Sequence, residues 1–144
     1  MRNSLSTRII VHKRPKIWGK KINLFNIKNI ILDVLFLKKN TFCSTHWHDK
    51  KSNTFILLSG CVYINIWKNG SVDEVELKCF VPYTVDTDIV HRFVVLKNST
   101  MIEISAVSKG EVEEKDIHRI SQGGKVLNGK EVSERYLRLT GEIK

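Results

Sequence analysis

Residues 54–70, Thr54-Phe55-Ile56-Leu57-Leu58-Ser59-Gly60-Cys61-Val62-Tyr63-Ile64-Asn65-Ile66-Trp67-Lys68-Asn69-Gly70, decide the fold class. Successive side chains of a strand point to opposite faces, so a strand with one buried face shows a period of two. Val62, Ile64 and Ile66 against Tyr63, Asn65 and Trp67 have that period. Residues 54–58 form a second apolar run, and Ser59-Gly60 reads as the turn between the two. Asn69-Gly70 then marks a hairpin, because a type I′ turn needs positive φ at both central residues.

The same character extends in both directions. Residues 7–11 and 30–37 lie before this stretch, and residues 72–77, 91–96 and 101–107 after it, all rich in β-branched and aromatic side chains. Lys97-Asn98-Ser99 reads as one more turn, and both prolines, Pro15 and Pro82, fall between runs. Many short strands joined by tight turns predict an all-β barrel or sandwich. Beyond Lys109 the pattern changes: residues 111–119 are charged and helix-tolerant, Gln122-Gly123-Gly124 is a loop, and residues 131–139 suit either a short helix or a last strand. No internal repeat divides the chain. The expectation is one domain over residues 1–144, with the barrel at about 7–108 and a C-terminal extension at about 109–144.

With 144 residues, 42% of them hydrophobic, the chain is long enough for one core and too apolar for disorder. The longest apolar run, residues 30–37, contains Asp33 and is too short for a bilayer, so no membrane partner is expected. Residues 1–13 carry no signal-peptide apolar segment, which places the protein in the cytoplasm as an expectation. The net charge of +9 is concentrated early: residues 1–53 hold 12 basic and 2 acidic side chains, residues 54–144 hold 12 and 13. No helix-turn-helix, zinc-finger or RNP pattern accompanies the excess, and 17 of the 24 basic residues are Lys, the ordinary solvated cation. A small anionic ligand is therefore expected rather than a nucleic acid.

Cys43, Cys61 and Cys79 are odd in number and form no CxxC pair, so they read as small buried thiols rather than a disulfide framework or thiolate metal site. Of the five histidines, His46 and His48 are informative. On a strand, residues i and i+2 share a face about 6.5–7 Å apart, which lets two imidazoles close on one metal ion. If residues 49–52 form a hairpin loop, Asn53 returns beside His48, either as a further ligand or as a turn residue. His91 opens a later strand and can reach the same point from across the barrel. Met101, Glu103 and Ser105 share one strand face. If that face lines the interior, Glu103 is the candidate general acid or base; otherwise it meets solvent. His12 and His118 read as surface residues, and Trp18, Phe55, Tyr63 and Trp67 as core or rim packing.

His46-x-His48-x4-Asn53-x6-Gly60 resembles the first cupin motif, and Asp88-Ile89-Val90-His91 resembles the second. Cupins are jelly-roll β-barrels that usually bind a divalent metal through three His and one Glu. Arg14-Pro15-Lys16-Ile17-Trp18-Gly19, Phe36-Leu37-Lys38-Lys39, Ile102-Glu103-Ile104, Lys109-Gly110-Glu111, Asp116-Ile117-His118-Arg119 and Gly124-Lys125 occur in an order similar to the C-terminal isomerase domain of type II mannose-6-phosphate isomerases. The resemblance implies a single-domain cupin with a divalent metal ion (Zn, Mn, Fe or Ni) on His46, His48 and His91, with Asn53 in the place of the family glutamate. It further implies a phosphosugar substrate, aldose–ketose isomerisation, Lys125 near the phosphate where those isomerases have Arg, and a homodimer. A three-histidine iron dioxygenase-type cupin and a non-catalytic ligand-binding cupin remain as alternatives.

Overall fold

The computed structural model describes residues 10–11 and 15–143. Its strands, in chain order, are β1 (Ile10–Val11), β2 (Gly19–Ile27), β3 (Ile30–Leu37), β4 (Thr41–Phe42), β5 (Thr45–Trp47), β6 (Lys51–Lys68), β7 (Ser71–Glu76), β8 (Tyr83–Val85), β9 (Val90–Val107), β10 (His118–Ser121), β11 (Gly124–Leu127) and β12 (Lys130–Ser133), followed by one helix, α1 (Glu134–Leu139). Residues 7–9, His12 and Arg14, all used in the sequence reading, lie outside the described residues.

β6 and β9, eighteen residues each, organise the molecule. They pair antiparallel from Lys51↔Val107 to Trp67↔Val90 and bend together through bulges between Leu57 and Val62. Each long strand therefore contributes to two sheets. The Ser99–Ala106 half of β9 pairs with β3, which continues to β2 and β1, and the facing half of β6 pairs with β8. The His91–Val95 half of β9 pairs with β4 and β5, which carry β11 and β10 on their far sides, and the facing half of β6 pairs with β7. Two sheets sharing two bent strands make a jelly-roll barrel.

The bend corrects two expected turns. Ser59-Gly60 and Lys97-Asn98-Ser99 are corners inside continuous strands, where bulges rotate the chain without ending its pairing. Gly60 sits at such a corner with φ of 99°, and a Cβ there would lie 2.6 Å from the Asn98 carbonyl oxygen, so the position excludes other side chains. Asn69 (φ 48°) and Gly70 (φ 79°) do form the expected hairpin between β6 and β7. β5 does not pair with β6 among the described residues, so residues 48–50 are a crossing rather than a hairpin loop, and Asn53 is a strand residue.

Val62, Ile64 and Ile66 are buried as their alternation predicts, and with Leu35, Phe55, Leu57, Phe93 and Met101 they fill the interior. Sequence reading missed β2, whose Lys- and Asn-rich composition is disfavoured in strands and whose outer half is exposed. Residues 111–119 do not form a helix, and their last two residues start β10. Residues 131–139 resolve as both alternatives in turn, strand β12 then α1, with Ser133 Oγ accepting from Tyr136 N to cap the helix. Among the described residues, no helix is long and apolar enough to cross a membrane.

Candidate metal centre

One end of the barrel interior is polar, and a cavity of about 570 Å³ opens there. The inward positions of β6 change from Phe55 and Leu57 to Asn53 and Lys51 toward this end. On β9 His91 and Glu103 face it, and β5 with the residue after it supplies His46 and His48. The register places His46 directly opposite His91. His48, two residues on, turns toward the same point, as the period of two requires.

The three imidazoles pack with ring centroids 4.6–5.5 Å apart, and one nitrogen from each falls within 4.8 Å of the others. Each ring is held from behind. His46 Nδ1 donates to the Ser44 carbonyl (2.7 Å), His48 Nδ1 to the Asp116 carbonyl (2.6 Å) and His91 Nδ1 to the Ile89 carbonyl (2.8 Å). A carbonyl oxygen can only accept, so the proton is on Nδ1 in all three and Nε2 carries a free lone pair. That is the tautomer a metal-bound imidazole needs, fixed by outer hydrogen bonds.

Two buried polar atoms at this end lack a partner among the described residues: His91 Nε2 and Asn53 Oδ1. Asn53 is 3% exposed and its Nδ2 donates to Ser105 Oγ (3.0 Å), which leaves the amide oxygen as the unsatisfied atom. Buried acceptors without donors are costly, and a cation is the partner that satisfies a lone-pair cluster. These residues fit a divalent metal ion. Three imidazoles and an amide oxygen would hold it without any negative charge from the ligands themselves.

The least exposed carboxylate that lines the cavity is Glu103, whose side chain is 15% exposed. Its strand face is the inner one, since Met101 and Ser105 beside it are buried. Lys21 Nζ reaches both Glu103 (3.3 Å) and Asp33 (3.1 Å), and Asn23 Nδ2 donates to the other Asp33 oxygen (2.9 Å). Burial opposes charge on Glu103, but Lys21 and then Lys51 outweigh it and hold the carboxyl below its ordinary range. Glu103 in turn raises Lys21 above the usual lysine value against the cost of burial, with Asp33 adding to the effect. Lys51 is itself 9% exposed, and burial pulls its ammonium down.

Burial also lowers the imidazoles. His46 is pushed down to about 2 by burial, then by His91 and His48, and His48 to about 4, where burial overrides the Asp116 carbonyl. His91 moves the same way, again through burial. All three are neutral at pH 7 and available as ligands.

Four of the sequence-selected residues besides Glu103 thus meet at one place: His46, His48, His91 and Asn53. Lys125 does not join them. It lies on β11 between Thr41 and Val132 and is not among the residues that line the cavity. The cations that do line it are Lys16, Lys21, Lys51 and Arg119. Lys51 was legible in principle, since it alternates in phase with Asn53 and Phe55. Lys21, on a strand that composition concealed, was not.

The cysteines also divide. Cys43 is buried at the cavity wall, its thiol pushed up to about 12 by burial, so it is protonated and inert. Cys61 is half-buried and Cys79 exposed, contrary to the expectation of three buried thiols. His118 is exposed as expected, stacked on Trp47 with centroids 4.8 Å apart and bonded to Asp49 (2.6 Å).

No family model matches this sequence, and no curated protein does. Solved structures do match. Oxalate decarboxylase from Bacillus subtilis superposes with a TM-score of 0.66 at 14% identity over 77% of this chain and 30% of its own. KdgF from Halomonas sp. gives 0.56 at 10% identity over 67% of this chain and 81% of its own. CapF from Staphylococcus aureus gives 0.61 at 16% identity over 74% of this chain and 33% of its own. The chain thus spans about a third or less of oxalate decarboxylase and CapF. At such identities the likeness shows the fold alone, an all-β jelly-roll barrel with a short C-terminal extension, and at its polar end three clustered imidazoles could hold a metal ion.

Proposed function

We propose that this cupin is a metal-dependent enzyme acting on a small anionic substrate, most simply a phosphosugar, by aldose–ketose isomerisation. The observation that carries the reading is the shared cavity: an ionised Glu103 faces the same space as three imidazoles with outward-locked Nδ1–H groups. A metal bound there supplies polarisation of a carbonyl and its adjacent hydroxyl. Glu103 then takes the proton from the carbon beside that carbonyl and returns it to the neighbouring carbon, through an enediol. Lys21 keeps Glu103 in place between transfers, and the β9 backbone fixes it opposite Asp33. Arg119 and Lys16, at the exposed side of the cavity, take the part in anion binding that sequence similarity gave to Lys125. Arg119 offers the forked donor geometry that suits phosphate.

Manganese is a reasonable first metal, since Mn(II) centres are described for oxalate decarboxylase of Bacillus subtilis. The test is interconversion of mannose 6-phosphate and fructose 6-phosphate by protein loaded in turn with Mn, Zn, Fe and Ni. Glu103→Gln should lower kcat by roughly 100-fold or more while retaining the metal, because removing a general acid–base group typically costs 10²–10⁴-fold. Equal kcat in Glu103→Gln contradicts its role. The neutral donor set favours one second reading, an iron dioxygenase-type cupin, and iron-dependent oxygen uptake in place of isomerisation would establish it.

A further inference from the structure

Asp116 lies outside the barrel strands, 68 residues from His48, yet it meets the centre twice. Its backbone carbonyl accepts from His48 Nδ1 at 2.6 Å. Its carboxylate gathers three consecutive backbone N–H groups: Oδ1 accepts from Asp49 N (2.8 Å), and Oδ2 from Lys50 N and Lys51 N (3.0 Å each). A run of backbone N–H groups turned toward one anion is a concave nest, which the anion's charge stabilises. Here the chain supplies its own anion. The nest spans the crossing between His48, whose carbonyl accepts from Asp88 N, and Lys51, where β6 begins; among the described residues, Asp49 and Lys50 have no strand partner.

Neighbouring contacts secure the segment that brings Asp116 in. β10 pairs with β5, His118↔Trp47 and Arg119↔His46, and Lys51 Nζ donates to the Glu113 carbonyl (3.4 Å). Asp49, Asp116 and His118 also place ligand atoms close together. In that group both Asp116 oxygens accept from backbone donors, and Asp49 Oδ2 meets His118 Nε2 at 2.6 Å.

We propose that Asp116 is a positioning residue of the metal centre: through its carbonyl it sets the tautomer and direction of His48, and through its carboxylate it holds the crossing that leads from His48 to the start of β6. The C-terminal extension is thereby a working part of the centre rather than an appendage. The inference rests on the metal-binding reading for its consequence in affinity, and on geometry alone for its consequence in His48.

Affinity for Zn(II) and for Mn(II) alone, measured by competition with a chromophoric chelator, tests it in wild type, Asp116→Asn, Asp116→Ala and Asp49→Asn. Loss of an outer hydrogen-bonding partner typically weakens metal binding 10–100-fold. Both Asp116 variants should show a loss of that size, with amide hydrogen exchange at residues 49–51 at least about tenfold faster. Asp49→Asn, which removes only the charge of the exposed contact to His118, should stay within about twofold of wild type. A lower thermal midpoint in the Asp116 variants with affinity unchanged, at a temperature where they remain folded, would overturn the proposal. Wild-type protein that takes up no metal would remove the proposed function instead. The positioning claim is then decided by ¹⁵N spectra of the imidazoles: His48 in the Nδ1–H form in wild type and a mixture in Asp116→Ala supports it, and one form in both overturns it.

Discussion

Replacing Lys21 with methionine will destabilise the protein by about 3 kcal/mol at pH 7. The ammonium stands between Asp33, whose side chain is 3% exposed, and Glu103, at 15%. Methionine keeps most of the aliphatic volume but leaves two carboxylates with no cation between them. Removing one member of a buried ionic group typically costs 3–5 kcal/mol, and the partial exposure of Lys21, 27%, puts the value at the lower end. Asn23 remains bonded to Asp33, and Lys51 remains near Glu103, which limits the loss further. Urea unfolding at pH 7 measures the difference. A second substitution, Asp33→Asn, should recover part of it, because one of the two unpaired charges is then gone. A loss under about 1 kcal/mol would mean that the three groups are hydrated and only loosely coupled.

Acidification of the metal-free protein should produce the second large effect, beginning near pH 6.5. The unfolded chain binds protons on His46, His48 and His91 around the ordinary value of 6.5, whereas in the folded protein burial pushes His46 down to about 2 and His48 to about 4. The unfolded state then holds more protons between those limits, so folding stability falls as pH falls through that window. From pH 7 to 5 each imidazole contributes at most about 2 kcal/mol, and coupling among the three makes the titration one of the cluster rather than of any single ring. Glu103 and Asp116, both below their ordinary carboxylate values, act in the same direction but only at still lower pH. Urea curves at pH 7, 6 and 5 should therefore separate for wild type, and separate less for a His46→Gln, His48→Gln double variant. Curves that coincide between pH 7 and 5 would show that the imidazoles are accessible to solvent protons in the folded state.

The same polar interior explains which parts of the site the sequence exposed. Val62, Ile64 and Ile66 alternate over a purely apolar stretch, so their faces were readable without knowing any partner strand. His46 and His48 were readable because a two-residue spacing on a strand is a local property. His91 required only that a later strand come back beside them, which the register His46↔His91 shows. Corners were harder, because Ser59-Gly60 suits a turn and a bulge equally, and only the pairing of β6 with β9 distinguishes them. β2 was concealed by Lys20, Lys21, Asn23 and Asn26, polar residues in a strand whose outer half stays in water. Lys125 came from similarity of flanking residues alone; the β4–β11–β12 pairing gives its register, and it is not among the residues that line the cavity. Asp116 surfaced only inside a quoted resemblance, with no role attached, since its contacts are to three backbone groups 65–67 residues away in the chain.

The central claim is that the three Nε2 atoms and the Asn53 amide oxygen bind one divalent metal ion. It is tested most directly by elemental analysis of protein purified without chelator and reloaded with Mn(II) or Zn(II), in wild type, His46→Ala and His91→Ala. One equivalent of metal per chain in wild type, with less than about a tenth of an equivalent in both variants while they keep wild-type circular dichroism, is the predicted result. Equal metal content in wild type and the folded variants, or none in any of the three, would contradict it.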